Sequence, residues 1–174
     1  DIVLKRITYM DKTTLRKRLL ISRKELDNAD VAKRSKVLVE MVLGKVDLSK
    51  IEKMHCFLPI IGSNEPDMRQ FIQYATEFGA EVFTTNPNVP VTKVDAVINN
   101  YFLGDEIQFD LIIVPMLAYD PVTKHRLGFG GGFYDRLLAS QPEAVSVGVC
   151  FKEFAVENLP VEPTDIALDE IIAM

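Results

Sequence analysis

Two amphipathic helices are predicted at the start of the chain from the spacing of its apolar residues. The first stripe recurs every three or four positions at Leu15, Leu19, Ser22 and Leu26, and the other faces carry Arg16, Lys17, Arg23 and Lys24. A polar break follows, in which Asn28 or Asp30 is the expected N-cap of the second helix. The second stripe comprises Val31, Leu38, Val39 and Val42, with Gly44 as the expected stop signal.

Short apolar runs farther along the chain predict buried strands that alternate with helices. The runs cover residues 54–58, 81–84, 111–114, 145–150 and 170–173. Between the first two runs, a helix closed by Gly79 is predicted from Met68, Phe71, Ile72, Ala75 and Phe78. This alternation predicts an α/β fold, namely a single domain whose mostly parallel sheet carries helices on both faces in a Rossmann-like three-layer arrangement.

The bulk composition is that of an ordinary globular protein. Of the 174 residues, 48% are hydrophobic and 26% charged, and this length fits one domain over residues 1–174. Residues 1–9 precede the first helical stripe and are either a natural extension or a remnant of cloning. The net charge of -5 argues against a dominant face for nucleic acid or anionic membrane, although it leaves room for a local phosphate pocket.

Cysteine usage and hydropathy indicate the compartment. Cys56 and Cys150 each lie inside an apolar run, which favours two buried thiols in a reducing environment over a disulfide. No stretch approaches the roughly 20 apolar residues of a membrane-spanning helix, and the N-terminus lacks the apolar core of a signal peptide. We therefore expect a monomeric cytoplasmic protein that has neither nucleic acid nor membrane as a partner.

The segment with the most chemical information is a glycine-rich loop at residues 126–136, R-L-G-F-G-G-G-F-Y-D-R. It follows the strand at 111–114 and enters an amphipathic segment, in the region where open α/β sheets bind ligands. Glycines let the backbone approach a ligand, and a helix N-terminus after such a loop suits phosphate. The spacing matches neither a dinucleotide-binding fingerprint nor a Walker A loop, so a tight turn that needs small residues is the alternative interpretation.

This loop and its surroundings resemble the 5-formyltetrahydrofolate cyclo-ligase family. Members read approximately R-L-G-x-G-[GK]-G-[FY]-Y-D, after a strand ending in Val-Pro and a later aromatic–Asp pair. Here those two elements are Val114-Pro115 and Tyr119-Asp120. Looser agreement extends from residue 12 to 172, through K-x-x-L-R at residues 12–16, Glu65 and the C-terminal pattern of Pro160, Asp165, Asp169 and Ile171.

The resemblance implies an ATP- and Mg²⁺-dependent ligase that converts 5-formyltetrahydrofolate to 5,10-methenyltetrahydrofolate, with release of ADP and phosphate. In the family's reaction, ATP phosphorylates the formyl oxygen, and the folate N10 atom attacks the resulting iminium phosphate. Phosphate then leaves as the ring closes. Such chemistry depends on positioning and charge neutralisation more than on a protein nucleophile.

The resemblance also implies roles for individual residues. Arg126 and Asp135 are the implied catalytic residues, and Asp135 and Asp165 the implied magnesium ligands. Glu65 would accept hydrogen bonds from the pterin, while Phe133 and Tyr134 would stack on the rings of the folate. The residues implied to bind ATP are Lys12, Arg16, Arg126, Gly128, Gly130, Gly131, Gly132, Tyr134 and Asp135.

The charged members of this set also have purely structural interpretations. Lys12 and Arg16 lie four residues apart and could form a solvated basic helix face. Asp135 and Glu65 could each stabilise the N-terminus of a helix. Asp165 could cap a turn.

Aromatic residues and histidines carry weaker signals. Phe133 and Tyr134, at helical spacing, could belong to the core. His55 lies in a predicted strand and is expected to be structural. His125 has no carboxylate or cysteine partner at a telling spacing, so it is assigned no catalytic role.

Two departures from the family pattern leave an alternative function open. The stretch between Val82 and Asp110 is shorter than in many members, and Thr85-Asn86-Pro87 replaces a proline followed by a basic residue. Since this region helps to form the folate side in the family, a catalytically inactive relative that binds folate or nucleotide is the alternative. A sugar-phosphate isomerase or acyl-CoA transferase is disfavoured, because neither a Lys/Asp/Glu catalytic set nor a glutamate nucleophile is evident.

Overall fold

A computed structural model describes residues 10–84 and 107–174. The helices within these ranges are α1 (Lys12–Lys24), α2 (Asn28–Leu43), α3 (Arg69–Glu77) and α4 (Phe133–Ser140). The strands are β1 (Lys53–Cys56), β2 (Glu81–Phe83), β3 (Leu111–Pro115), β4 (Ala118–Tyr119), β5 (Arg126–Leu127), β6 (Val145–Cys150) and β7 (Glu170–Ala173). The predictions for residues 1–9 and for Thr85-Asn86-Pro87 lie outside the described residues.

Five of the strands form one parallel sheet in the order β2-β1-β3-β6-β7. The central strand β3 is buried along nearly its whole length, as expected for a parallel sheet covered on both faces. In its register, Ile112 lies between His55 of β1 and Ser146 of β6. All five strands coincide with predicted apolar runs to within two residues at either end.

The connections between neighbouring strands run toward both edges of this sheet. Helix α3 connects β1 to β2 on one side, and α4 lies between β3 and β6 on the other. Because crossovers between parallel strands are right-handed almost without exception, α3 and α4 cover opposite faces. Helix α2 packs against α3 and β7. The predicted α/β class, with a parallel sheet between layers of helices, is confirmed.

The first two helices differ from prediction in two details. Asp27, rather than Asn28 or Asp30, is the N-cap of α2, and its side chain accepts a hydrogen bond from the Asp30 N–H. On α1, Ser22 is exposed, whereas Arg23 is fully buried beside Leu15 and Leu19. Arg23 lies four residues after Leu19 and so continues the buried stripe. A basic residue can occupy this core position because the hydrocarbon part of its side chain is apolar and its guanidinium group has hydrogen-bond acceptors.

Helix α3 begins later and buries less than its apolar pattern predicts. Phe78 is 69% exposed, because α3 ends at Glu77 and Gly79, with φ of +100°, turns the chain toward β2. Glu65 precedes the helix by four residues, so the interpretation of Glu65 as a residue that stabilises the helix N-terminus is wrong.

A small antiparallel hairpin, β4–β5, was not predicted and follows β3 directly. Asp120 anchors it from within, since one carboxylate oxygen accepts from the N–H groups of Val122 and Thr123 and the other from that of Asn158. Two-residue strands carry too little periodicity to be read from sequence. The hairpin matters for the site because Arg126 lies on β5.

Both cysteines are free and buried, as predicted. Burial raises the pKa of the Cys150 thiol to about 11 and also raises that of Cys56, so both thiols are unreactive. Over residues 10–84 and 107–174, no helix combines the length and the apolarity needed to cross a membrane.

Candidate active site

A cavity of about 850 Å³ opens at the carboxyl end of the sheet. Phe57 and Leu58, which follow β1, and Pro115, which ends β3, form its floor. This is the edge at which open α/β sheets bind ligands. Every residue singled out for a site role lines this cavity: Lys12, Arg16, Glu65, Arg126, Gly128, Gly130, Gly131, Gly132, Phe133, Tyr134, Asp135 and Asp165.

The glycine loop spans residues 128–132, joins β5 to α4 and forms one wall of the cavity. Gly130 and Gly132 have φ values of +101° and +64°, which side chains adopt only with strain. Gly132 is the N-cap of α4, and no side chain caps that end of the helix. The loop thus leads directly into the N-terminus of α4, the arrangement seen in phosphate-binding loops.

Two arginines brace this loop from either side. Arg16 donates from Nε to the carbonyl oxygen of Gly128 at 2.9 Å, and its guanidinium passes within 3.4 Å of the position that a Cβ on Gly130 would occupy. Arg136 donates to the carbonyl oxygen of Gly131 at 3.0 Å. Arg16 thus lies at the loop itself, and its interpretation as part of a solvated basic surface is wrong.

Lys12 also faces the cavity and forms an ion pair with Asp165, with the two side chains 10% and 15% exposed. Glu162 lies 3.6 Å from the same ammonium group. Burial alone would raise the pKa of Asp165, but Lys12, the Glu162 N–H and Arg126 together lower it. The Glu162 N–H donates to Asp165, and the Asp165 N–H donates to the Glu162 carbonyl, so Asp165 closes a local turn as well.

A second ion pair joins Arg126 of β5 to Asp135 in the first turn of α4, at 2.8 Å. The same guanidinium donates to the carbonyl oxygen of Ile166, and the Ile166 N–H donates to Asp135 at 3.0 Å. Arg126 and Asp135 therefore both hold the segment after Asp165 against the glycine loop. Together the two ion pairs link the hairpin, α1, α4 and the C-terminal segment around one space.

Glu65 also lines the cavity and is 4% exposed. Its Oε2 atom accepts hydrogen bonds from the Ile60 N–H at 2.7 Å and from the Ser63 hydroxyl at 3.1 Å. Burial raises the pKa of this carboxyl, an effect that the Ile60 N–H, Arg23 and Ser63 oppose. A buried carboxylate at a cavity wall is suited to accept hydrogen bonds from the N–H groups of a ligand.

Aromatic rings form the deep part of the cavity. Phe133 and Tyr134 pack edge to face, with ring centroids 4.8 Å apart, and each lies about 6 Å from the ring of His55. Both are half-buried, so they contact the core and the cavity at once. Burial lowers the pKa of His55 to about 3, so its imidazole is neutral and its predicted structural role fits this packing.

Three charged residues around the cavity were not predicted. Arg136 and Glu162 line it, and both belong to sequence segments that carried the resemblance, so their positions could have been inferred. Arg23 lies behind the wall, and neither motif nor spacing pointed to it.

Sequence comparison agrees with this architecture. Residues 100–174 match the model of the 5-formyltetrahydrofolate cyclo-ligase family. A 5-formyltetrahydrofolate cyclo-ligase of Haemophilus influenzae is 39% identical over 67 residues, which are 37% of this chain and 35% of that protein. The similar enzyme of Escherichia coli K12 is matched over 36% of its length. The match with these two relatives thus covers about a third of each.

Other relatives are matched over nearly their whole length. The 5-formyltetrahydrofolate cyclo-ligase of Mycoplasma genitalium is 26% identical over 170 residues, covering 94% of this chain and 98% of the relative. In structure, a 5,10-methenyltetrahydrofolate synthetase from Mycoplasma pneumoniae superposes with a TM-score of 0.74 at 20% identity, covering 94% of this chain and 98% of that one. The Aquifex aeolicus synthetase gives a TM-score of 0.72 at 24% identity, covering 94% and 90%.

Proposed function

We propose that this chain is a member of the 5-formyltetrahydrofolate cyclo-ligase family, whose model its residues 100–174 match, and that it converts 5-formyltetrahydrofolate to 5,10-methenyltetrahydrofolate at the expense of ATP. The observation that carries the proposal is the single cavity that all the candidate residues line. Its lining offers two chemical environments, cations at a glycine loop and a buried carboxylate with aromatic rings. A triphosphate and a pterin need those two environments.

The triphosphate is assigned to the wall formed by the glycine loop. This loop enters the N-terminus of α4, and Arg16 and Arg126 hold guanidinium groups beside it. Guanidinium groups match the geometry of phosphate oxygens. Lys12 adds a third cation across the cavity. Tyr134, on the first turn of α4, completes the nucleotide-binding set.

Asp135 and Asp165 fit a Mg²⁺ ion that is shared with the nucleotide. In each carboxylate, all of the hydrogen bonds made with the described residues fall on one oxygen, Oδ1 of Asp135 and Oδ2 of Asp165. The other oxygen of each remains open for an ion. No group of three or more acidic, histidine or cysteine side chains suited to a metal occurs in residues 10–84 and 107–174. This fits Mg²⁺, which takes few protein ligands and completes its shell with water and phosphate.

The folate is assigned to the part of the cavity lined by Glu65, Phe133 and Tyr134. Glu65 would accept hydrogen bonds from the pterin, and Phe133 and Tyr134 would pack on its rings. With the pterin there and the γ-phosphate at the glycine loop, the formyl oxygen and the phosphorus would lie in the same cavity.

The chemistry then requires mainly positioning and neutralisation. The formyl oxygen attacks the γ-phosphorus, ADP leaves, and the folate becomes an iminium phosphate. N10 attacks the activated carbon and gives up its proton to solvent, and the C–O bond breaks to release phosphate, which carries away the former formyl oxygen. Arg126 stabilises the charge on the transferred phosphoryl group, and Asp135 holds Arg126 in place. Bound Mg²⁺ would neutralise phosphate charge on the same side.

We also propose that the protein is a single-domain, monomeric, cytoplasmic enzyme that acts on small molecules without nucleic acid or membrane. The net charge of -5 supports the exclusion of a nucleic-acid partner. The alternative of an inactive relative was based on the altered segment at residues 84–90, of which only Thr84 lies within the described ranges. No described contact favours it.

The test is a spectroscopic assay for the methenyl-folate product, which absorbs in the near ultraviolet. The protein is mixed with 5-formyltetrahydrofolate, ATP and Mg²⁺, and with each mixture that lacks one component. We expect product only when all are present, with one ADP formed per product. Folate binding by calorimetry without turnover would favour the inactive relative, and neither binding nor turnover would refute the assignment.

A further inference from the structure

The side chain of Arg136, near the start of α4, reaches back over the end of the glycine loop. Its Nη1 atom donates to the carbonyl oxygen of Gly131 at 3.0 Å. The same atom lies 2.9 Å from the position that a Cβ on Gly132 would occupy. Side chains of a helix lean toward its N-terminus, so a long side chain near the helix start can reach the residues that precede it. The guanidinium of Arg136 therefore lies against the part of the loop that enters α4.

Gly132 leaves room for this guanidinium. A carbon atom 2.9 Å from a nitrogen would overlap with it, so any side chain at position 132 would push the guanidinium away. The backbone of Gly132 has a φ of +64°, a conformation that Asn and Asp also visit. Backbone conformation alone therefore does not require glycine here. The guanidinium gives position 132 a second reason to lack a side chain.

Fold stability explains little of this arrangement. Arg136 is exposed, and a single hydrogen bond contributes only modestly to the net free energy of folding. The place is also an unfavourable one for a cation, because the N-terminal end of a helix carries partial positive charge and favours acidic residues. An arginine at this position is better explained by a task in the cavity, which it lines.

The hydrogen bond from Arg136 fixes the direction of a backbone amide. The carbonyl of Gly131 and the N–H of Gly132 belong to one planar trans peptide group, so they point in opposite directions. A donor that holds the carbonyl therefore holds the N–H as well. Glycine on both sides of this peptide group would let it rotate with little steric resistance. Arg136 restricts that rotation.

The first half of the loop is held by a different arginine. Arg16 of α1 donates to the carbonyl oxygen of Gly128, and its guanidinium lies close to Gly130. The residues that Arg136 contacts are the next two in the chain. Arginines from two helices thus fix the loop in two halves, and the loss of one arginine should loosen only its own half.

We propose that Arg136 is a positioning residue for the phosphate side of the reaction, which fixes the peptide group between Gly131 and Gly132 in the conformation that receives the triphosphate. It acts through the loop backbone, not through its charge on a phosphate. This inference rests on the proposed function, because a nucleotide at this loop is what would respond to the change. A preformed loop binds its ligand more tightly because less conformational entropy is lost on binding.

The first measurement follows the loop in the ligand-free protein. Backbone amide relaxation by NMR gives order parameters for Gly128, Gly131 and Gly132, which report motion on the picosecond to nanosecond timescale. We expect Arg136→Met to lower the values for Gly131 and Gly132 and to leave that of Gly128 unchanged. Arg136→Lys keeps a donor and should restore part of the loss. Unchanged order parameters in a folded Arg136→Met protein would overturn the proposal.

Calorimetric titration with ATP and Mg²⁺ gives the binding readout. We expect Arg136→Met to raise Kd for ATP roughly threefold to tenfold, as for the loss of one hydrogen bond. The ratio of the Kd values of variant and wild type should be the same at low and high KCl concentrations, because salt screens exposed charges but not a change in backbone order. A loss of affinity that vanishes at high salt would show that Arg136 acts as a charge, and would overturn the proposal. Arg18→Met is the control, since Arg18 is exposed and does not line the cavity.

Gly132→Ala tests whether this glycine makes room for Arg136. In the wild type, the added methyl group should displace the guanidinium and weaken ATP binding; in Arg136→Met it should add little, because that contact is already lost. Gly130→Ala is the matched control, because its methyl group meets Arg16 instead, so its effect should persist in Arg136→Met. A full effect of Gly132→Ala in that background would contradict the proposal. A wild type that binds no ATP would refute the proposed function, whereas the relaxation data would still decide whether Arg136 holds the loop.

Discussion

The Nε atom of Arg16 donates to the carbonyl oxygen of Gly128 at 2.9 Å, which ties the first helix to the glycine loop across 112 positions of sequence. Arg16 also lines the cavity. The proposed function therefore gives Arg16 two separable roles, holding the loop and offering charge to a phosphate. An arginine can do both because its five donors are fixed in one plane.

Arg16→Lys separates these roles, since lysine keeps the charge but not the fork. We expect KM for ATP to rise roughly tenfold, as for the loss of one charge-assisted hydrogen bond of about 1.5 kcal/mol, with KM for folate unchanged. Initial rates at varied ATP and folate measure both. Arg18→Lys is the control, because Arg18 is exposed on the same helix and does not line the cavity. Equal ATP kinetics in the two variants would contradict the role of Arg16.

Gly130→Ala tests the backbone of the loop. A methyl group there meets a φ of +101° and would lie 3.4 Å from the Arg16 guanidinium. We expect the free energy of unfolding in urea to fall by about 1–3 kcal/mol and KM for ATP to rise. Gly128→Ala is the matched control in the same loop, because its added methyl group has open space and no positive φ. Its stability should stay within about 0.5 kcal/mol of the wild type.

Much of the fold was predictable because parallel strands buried on both faces appear as uninterrupted apolar runs. The glycine loop was recognisable for a related reason, because sequence and backbone geometry are closely linked there. The candidate roles of Lys12, Arg16 and Asp165 came instead from the family resemblance. Lys12 and Asp165 were predicted to belong to one site, and the structure joins them in an ion pair.

What escaped prediction depends on contacts between distant segments. Arg23 follows the buried stripe of α1, yet its charge predicts a surface position. Its burial becomes understandable only from its hydrogen-bond partners Met116 and Leu117, which are 93 and 94 positions away. The burial of Glu65 likewise depends on a loop whose backbone donor, Ile60, has no sequence signal. Hydropathy describes a residue's average environment, whereas these two are determined by specific tertiary partners.

Asp165→Asn tests the proposed magnesium site. The amide removes a negative charge from the open side of the carboxylate, so the Mg²⁺ concentration for half-maximal activity should rise by roughly tenfold or more. Activity measured over a range of Mg²⁺ at saturating ATP gives this value. Asp110→Asn is the control, since Asp110 is exposed and binds the backbone N–H groups of Glu52 and Lys53, away from the cavity. An unchanged Mg²⁺ requirement in Asp165→Asn would exclude Asp165 as a ligand.

Asp120→Asn links stability, pH and the position of Arg126. Burial alone would raise the pKa of Asp120, but the N–H groups of Thr123, Val122, Asn158 and Leu159 together lower it. Because the folded pKa lies below the unfolded one, this carboxylate stabilises the fold above the ordinary aspartate pKa of about 4. That contribution is lost as the pH falls through the lowered pKa.

The amide cannot supply the second acceptor oxygen to the Asn158 N–H, so a part-buried donor loses its partner. We expect a loss of about 1–3 kcal/mol at neutral pH, shrinking as the pH falls below the ordinary aspartate pKa of about 4, because the wild type then loses its own advantage. Urea unfolding across this range measures the difference. Since Asp120 anchors the hairpin that carries Arg126, kcat should fall as well, even where the variant is fully folded. A variant as stable as the wild type at neutral pH would show that the hairpin does not depend on this carboxylate.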